Sequence, residues 1–248
     1  MDQTFSFTFQ VYLPNQENSK FTINSVEFSK ENISTSYEQQ DVILVKKNPE
    51  LVFQDDFDGK TLDTEKWKVT LLQNPIPVIV NDGSLKITTK AGINSSICLI
   101  SRENTIKPPI NVTFRARIEN FDDANCYSGW IYSNGTAQEA DVLEVLVEDT
   151  QFFSVHSTGN EWINSYEAKP VDLSLWHDYT MVISQGGCES YIDGELVMQC
   201  FGLDADDFDV RISIWSTKIA PKDSVLFIDY VRIVSCSNLN WNFSNELM

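Results

Sequence analysis

Short alternations of apolar and polar residues, broken by turn residues, run along nearly the whole chain. In Ser84-Leu85-Lys86-Ile87-Thr88 every second side chain is apolar, the period of a strand with one covered face. The same pattern predicts strands over Phe5–Leu13, Phe21–Phe28, Val42–Lys46, Ser84–Thr89, Asn111–Ile118, Tyr127–Tyr132, Ala140–Val147 and Phe152–Ser157. It continues through His177–Ser184, Glu189–Ile192, Glu195–Gln199, Val210–Trp215 and Val225–Val234. No long segment keeps a 3.6-residue apolar period, so the expected class is all-β, a sandwich or a barrel. Residues 1–48 hold three candidate strands around a polar stretch and read as a small module or as extra strands. Lys46–Glu50 reads as the connector, 49–236 as the main body, and 237–248 as a tail without pattern.

One predicted strand carries more charge than a half-buried segment should. Gln138-Glu139-Ala140-Asp141-Val142-Leu143-Glu144 places three carboxylates in an apolar run, and burying an unpaired charge is costly. Glu139 and Asp141 are two apart and share a strand face. Glu144 is three beyond Asp141 and points the other way in a regular strand. One extra residue, a bulge at Val142-Leu143, returns it to the same face. Two carboxyls roughly 5–5.5 Å apart are what a retaining glycosidase needs.

Composition narrows the partners. The chain has 248 residues, 36 acidic and 18 basic, for a net charge of −18. Such a surface argues against nucleic acid or an anionic membrane and suits a neutral or cationic ligand. No apolar run approaches ~20 residues, so no transmembrane helix is expected. The opening Met-Asp-Gln-Thr-Phe-Ser-Phe has neither a basic nor an apolar leader region, so no signal peptide is expected. Sequons at Asn32, Asn94, Asn111, Asn134 and Asn242 point instead to an extracellular or secretory route. Of five cysteines, Cys188 and Cys200 flank a hairpin with an Asp193-Gly194 turn. A two-residue turn sets Cys200 opposite Gly187, whereas a three-residue turn sets it opposite Cys188, within disulfide reach. Two distant histidines and no Cys-x-x-Cys give no zinc site.

From Leu51 to about Val234 the order of landmarks resembles glycoside hydrolase family 16, the laminarinase and licheninase family. Leu51-Val52-Phe53-Gln54-Asp55-Asp56-Phe57-Asp58-Gly59, then Leu62-Asp63 and Trp67, is similar to its opening strand and first loop. Asn81-Asp82-Gly83-Ser84-Leu85-Lys86-Ile87 resembles the second strand, and Phe114-Arg115-Ala116-Arg117 the strand before the active site. Glu139-Ala140-Asp141-Val142-Leu143-Glu144 resembles the Glu-x-Asp-x-x-Glu active-site strand. Trp176-His177-Asp178-Tyr179, Tyr191-Ile192-Asp193-Gly194 and Phe227-Ile228-Asp229-Tyr230-Val231-Arg232-Ile233 follow in family order. The short stretch Ser128–Gly135 is closer to the compact licheninase type.

The resemblance implies a β-jelly-roll sandwich of two curved antiparallel sheets with a sugar groove on the concave face. It implies retaining endo-hydrolysis of β-1,3 or mixed β-1,3/1,4-glucan by a monomer. Glu139 is then the nucleophile, Glu144 the general acid and base, and Asp141 the residue that tunes the pair. Trp130 and Trp215 are candidate sugar platforms, Trp162 a rim residue, and His156 a contact to substrate or to Glu144. Trp67 and Trp176 fit the core, and His177 a structural role inside the sandwich. Arg115 or Arg117 is a candidate partner of the acid row. The chemistry requires no cofactor. A structural calcium near Asp55, Asp56 and Asp58, with Asp229 in the closing strand, is a further implication. A β-glucan-binding lectin without turnover and a transglycosylase of the same fold are the alternatives.

Overall fold

The structure, a computed structural model, describes residues 50–236 apart from 75, 104, 148–149, 158–164, 185–186 and 202–206. The chain divides into units Met1–Asn48 and Pro49–Met248. The strands expected in 1–48 and the tail 237–248 lie outside the described residues, as does Trp162.

Fifteen strands are described: β1 (Leu51–Asp55), β2 (Trp67–Gln73), β3 (Val78–Asn81), β4 (Ser84–Thr89), β5 (Ser96–Ser101), β6 (Ile110–Glu119), β7 (Asn125–Ser133), β8 (Gln138–Val147), β9 (Thr150–Ser157), β10 (Ser165–Pro170), β11 (His177–Ser184), β12 (Gly187–Ile192), β13 (Glu195–Phe201), β14 (Asp209–Ser216) and β15 (Ser224–Ser235). They form two antiparallel sheets. One runs β13-β12-β11-β6-β15-β4-β3, with β1 also on β15; the other runs β10-β9-β8-β7-β14-β5-β2. This is the expected all-β sandwich. The core lies between the sheets and is filled by Trp67, Phe114, Tyr127, Phe153, Tyr179 and Phe208 among many aliphatic side chains.

Parity decides which side chains enter that core. In β6, Ile110, Val112, Phe114, Ala116 and Ile118 are buried, and the residue that follows each of them is not. Arg115 and Arg117 therefore leave the sandwich through the outer face of the eight-stranded sheet. Arg115 pairs with Asp178 (3.1 Å) and Asp229 (3.3 Å). The Arg117 guanidinium sits 4.2 Å from the Phe227 ring centre and 5.1 Å from that of Trp176. The expectation that either arginine serves the acid row is thus overturned. Trp176 is corrected too: it is half-buried on this outer face, edge-on to Phe227. Trp67 is in the core as expected, with its Nε1–H donated to the buried Asp55 Oδ2 at 2.6 Å.

The β12–β13 hairpin resolves the cysteine question by a third route. The turn keeps two residues, Asp193 and Gly194, both at positive φ, as a type I′ turn requires. The register then slips by one between Ser190↔Met198 and Tyr191↔Leu196, so Val197 is the extra residue. That bulge, not a longer turn, brings Cys188 opposite Cys200 in a disulfide with a Cα–Cα distance of 5.1 Å. His177 clamps the turn from the rim rather than inside the sandwich. Its Nδ1 lies 2.7 Å from Asp193 Oδ2 and its Nε2 lies 3.1 Å from the Asp172 carbonyl, while Asp193 Oδ1 accepts the Asp178 N–H.

Burial pushes the Asp193 carboxyl up, but the bonds from His177 and the Asp178 N–H outweigh it and hold the group below the usual carboxylate value. A depressed folded pKa contributes stability that is complete above the unfolded value of about 3.9 and is lost as pH falls through the folded one. Asp193→Asn should therefore lower Tm near neutral pH, and the gap to wild type should close as the pH falls below about 4. A gap that stays constant across a pH 2–7 melting series would show that the charge of Asp193 contributes nothing.

Candidate functional site

Strand β8 is an inner strand of the seven-stranded sheet, and its pairings with both neighbours are irregular at one shared place. Against β7, the pairing steps from Gly129↔Leu143 to Trp130↔Asp141, skipping Val142. Against β9, it steps from Glu144↔Phe152 to Asp141↔Ser154, three residues against two. One extra residue therefore sits in β8 at Val142-Leu143, where the acid spacing required it. Ala140, Val142, Leu143 and Val145 all join the core, the bulge sending two successive side chains inward. Glu139, Asp141 and Glu144 are left on the face turned away from the core.

The core side of the bulge is tightly filled. A Cβ on Gly129, opposite Leu143, would lie 2.8 Å from Phe114 Cδ1 in the facing sheet. Glycine lets the two sheets close at this point. Gly129→Ala should cost about 1–3 kcal/mol through overpacking, read as a lower Tm; a variant melting at the wild-type temperature would show that Phe114 moves aside freely.

On the open face the acids have distinct surroundings. Asp141 is only 1% exposed and accepts the Ser154 hydroxyl. Glu139 pairs in register with Tyr132 on one side and His156 on the other. His156 lies opposite Glu139 along the backbone, and its side chain, with the contact expected of it, lies outside the described residues. Glu144 Oε1 accepts from the Cys126 thiol at 3.9 Å. Burial first, then the Glu144 and Asp141 charges, push the Cys126 thiol far up. Burial likewise pushes Cys98 up to about 11. Both thiols stay neutral at physiological pH, so neither has the thiolate that a cysteine nucleophile needs.

The predicted platforms divide. Trp215 of β14 lies on this face and is 42% exposed, leaving ring surface for a ligand. Trp130 also lies here, paired with Asp141, but its ring is already covered: the Arg211 guanidinium sits 4.7 Å from its centre and 4.2 Å from that of Tyr132. The Trp130 Nε1–H is donated to Ser213 Oγ at 3.3 Å, and Ser213 and Ser128 share a hydroxyl bond of 2.7 Å. Arg211 was not singled out by the sequence, although parity offered a signal. Asp209, Arg211 and Ser213 precede Trp215 by six, four and two residues in one strand and so share its face.

Asp229 is matched by a cation of the chain itself: its carboxylate pairs with Arg115 on the outer face of the other sheet. Asp55 is committed to Trp67, the Phe57 N–H and Lys66. Asp56 and Asp58 do line a cavity of about 230 Å3 with Asp55, but Lys66 lines it too. Among the described residues no three His, Cys, Asp or Glu side chains group as a metal would require. With cations of the chain already in place, the donor set does not fit calcium.

No protein-family model matches the chain, and no curated protein is similar to it in sequence. Solved structures are. LamA of Z. galactanivorans, in complex with laminaritriose and laminaritetraose, superposes with a TM-score of 0.65 at 18% identity, over 75% of this chain and 98% of that one. The endo-β-1,3-glucanase of Pyrococcus furiosus gives 0.64 at 16%, over 75% and 94%. This chain has the fold of laminarinase catalytic domains. The same fold serves an endo-acting O-glycanase from the human gut microbiota, at 0.64 and 18%, over 75% and 99%. Identities this low establish the jelly-roll sandwich and leave the substrate to be argued from the site.

Proposed function

We propose that this chain is a glycoside hydrolase that cleaves internal bonds of a β-1,3 or mixed β-1,3/1,4-glucan with retention. The observation that carries the proposal is the β8 bulge, which leaves Glu139, Asp141 and Glu144 together on an open sheet face. Glu139 attacks the anomeric carbon and Glu144 protonates the departing glycosidic oxygen, giving a glycosyl-enzyme. Glu144, now a carboxylate, takes a proton from water, and the resulting hydroxide displaces Glu139. Asp141, buried and bonded to Ser154, holds the middle of the row. The exposed ring of Trp215 stacks on the apolar face of a sugar.

Several proteins that share the fold are laminarinases or endo-β-1,3-glucanases, which makes β-glucan the first polymer to test. The chemistry needs no cofactor, and one chain acting as a monomer carries all three acids. An acidic surface disfavours nucleic acid and anionic membrane as partners. The Cys188–Cys200 disulfide and the sequons favour an extracellular or secretory location.

Reducing-end release from laminarin and from barley mixed-linkage glucan tests the proposal. Wild type should release reducing ends, and Glu139→Gln should lose at least ~10³-fold in kcat/KM, about 4 kcal/mol of transition-state stabilisation. Folded wild-type protein that binds either glucan without release would replace the enzyme with a lectin.

A further inference from the structure

Arg211 is unusually well held for a side chain with no assigned task. Its Nε donates to Asp209 Oδ1 at 2.6 Å, and its Nη2 to Asp209 Oδ2 at 3.1 Å and to Asn134 Oδ1 at 3.4 Å. Asn134 Nδ2 in turn holds Asp209 Oδ2 at 3.1 Å. Trp130 and Tyr132, edge to face at 5.7 Å, pack their rings against the guanidinium at 4.7 and 4.2 Å. Asp209 is buried, so this fork-to-fork pair is screened little by water.

Two of the three guanidinium nitrogens are thereby used. Among the described residues Nη1 has no hydrogen-bond partner, and about a sixth of the side chain stays accessible. An N–H donor immobilised before binding loses little entropy when a ligand takes it up. Its location is apt. Arg211 pairs with Trp130, which pairs with Asp141, so the three lie in one row across the sheet. Strand spacing places that row's Arg211 end roughly 10 Å from the acid strand, a span covered by a glycan longer than a monosaccharide.

We propose that Arg211 is a specificity-determining residue that orients a neutral glycan chain on the open face, with Nη1 donating to a sugar hydroxyl beside the acid row. The proposal rests on the glucanase reading of that face and extends it to substrate class. Neutrality follows from charge. Asp209 already cancels Arg211, and three further carboxylates share the face, so a sulfated or uronate glycan meets net repulsion.

The test uses Arg211→Lys and the double variant Arg211→Met/Asp209→Asn, which removes both partners and leaves no buried charge unpaired. With wild-type melting retained, both should raise KM for laminarin about tenfold while kcat changes less than ~3-fold, the signature of lost binding shared by ground and transition states. Should the double variant fail to fold, titration of Glu139→Gln protein with laminarihexaose, followed through the arginine side-chain N–H resonances, should move the Arg211 signals. Unchanged KM in a folded variant, or unmoved Arg211 signals, overturns the role of Arg211 and leaves the glucanase reading intact. Binding of sulfated or uronate oligosaccharides in preference to neutral ones overturns the substrate class. Binding of no glycan overturns both.

Discussion

A strand displays every second side chain on one face, and Glu139, Asp141 and Glu144 violate that rule by one residue. The extra residue in β8 removes the violation, and much of the site depends on it. Two consecutive apolar side chains, Val142 and Leu143, turn into the core together. Beside them in β7, Gly129 carries no side chain and so leaves room for the Phe114 ring of the facing sheet. Without the bulge Glu144 would project into a core of Phe, Ile and Val, where an ionised carboxylate is strongly disfavoured. The fold and the acid row are thus coupled by one local irregularity, present in the pairing on both sides of β8.

The same arithmetic was legible in the sequence wherever a pattern broke its own period. The acid row demanded an extra residue and the structure has it. The Cys188–Cys200 hairpin left two registers open, and a bridge required one extra residue, which Val197 in the strand supplies instead of the turn. Strands without alternation went unread by pattern. β5, Ser-Ile-Cys-Leu-Ile-Ser, is buried on nearly every residue, so it has no polar phase. β10, Ser-Tyr-Glu-Ala-Lys-Pro, is an edge strand with no apolar phase, and β3 is four residues long. Arg115 and Arg117 show a different limit. Their parity, opposite Phe114 and Ala116, marks them as pointing out of the sandwich. Which sheet β6 joins decides whether that outside is the acid face, and strand order is not local information.

Arg211 shares the parity of Trp215 in β14, but parity alone does not distinguish a ligand contact from a solvated charge. Aromatic residues on an open sheet face invite a sugar-platform role, and for Trp215 the exposed ring keeps that role available. For Trp130 the ring's neighbour matters more than the ring. A guanidinium fixed by Asp209 already occupies its face, so Trp130 and Tyr132 support a polar donor instead of stacking on a ligand themselves. Solved structures of this fold include laminarinases and an O-glycanase, so the sandwich alone does not name a substrate.

The most direct test of the account is to trap the covalent intermediate. An activated 2-deoxy-2-fluoro laminaribioside slows both steps through a retaining site and holds the glycosyl-enzyme. Digestion and mass spectrometry should then find one added 2-deoxy-2-fluorolaminaribiosyl group, a disaccharide, on the peptide spanning Gln138–Val147, at Glu139. A label at Asp141 or Glu144, or no label on protein that hydrolyses laminarin, would contradict the assignment of Glu139 as nucleophile.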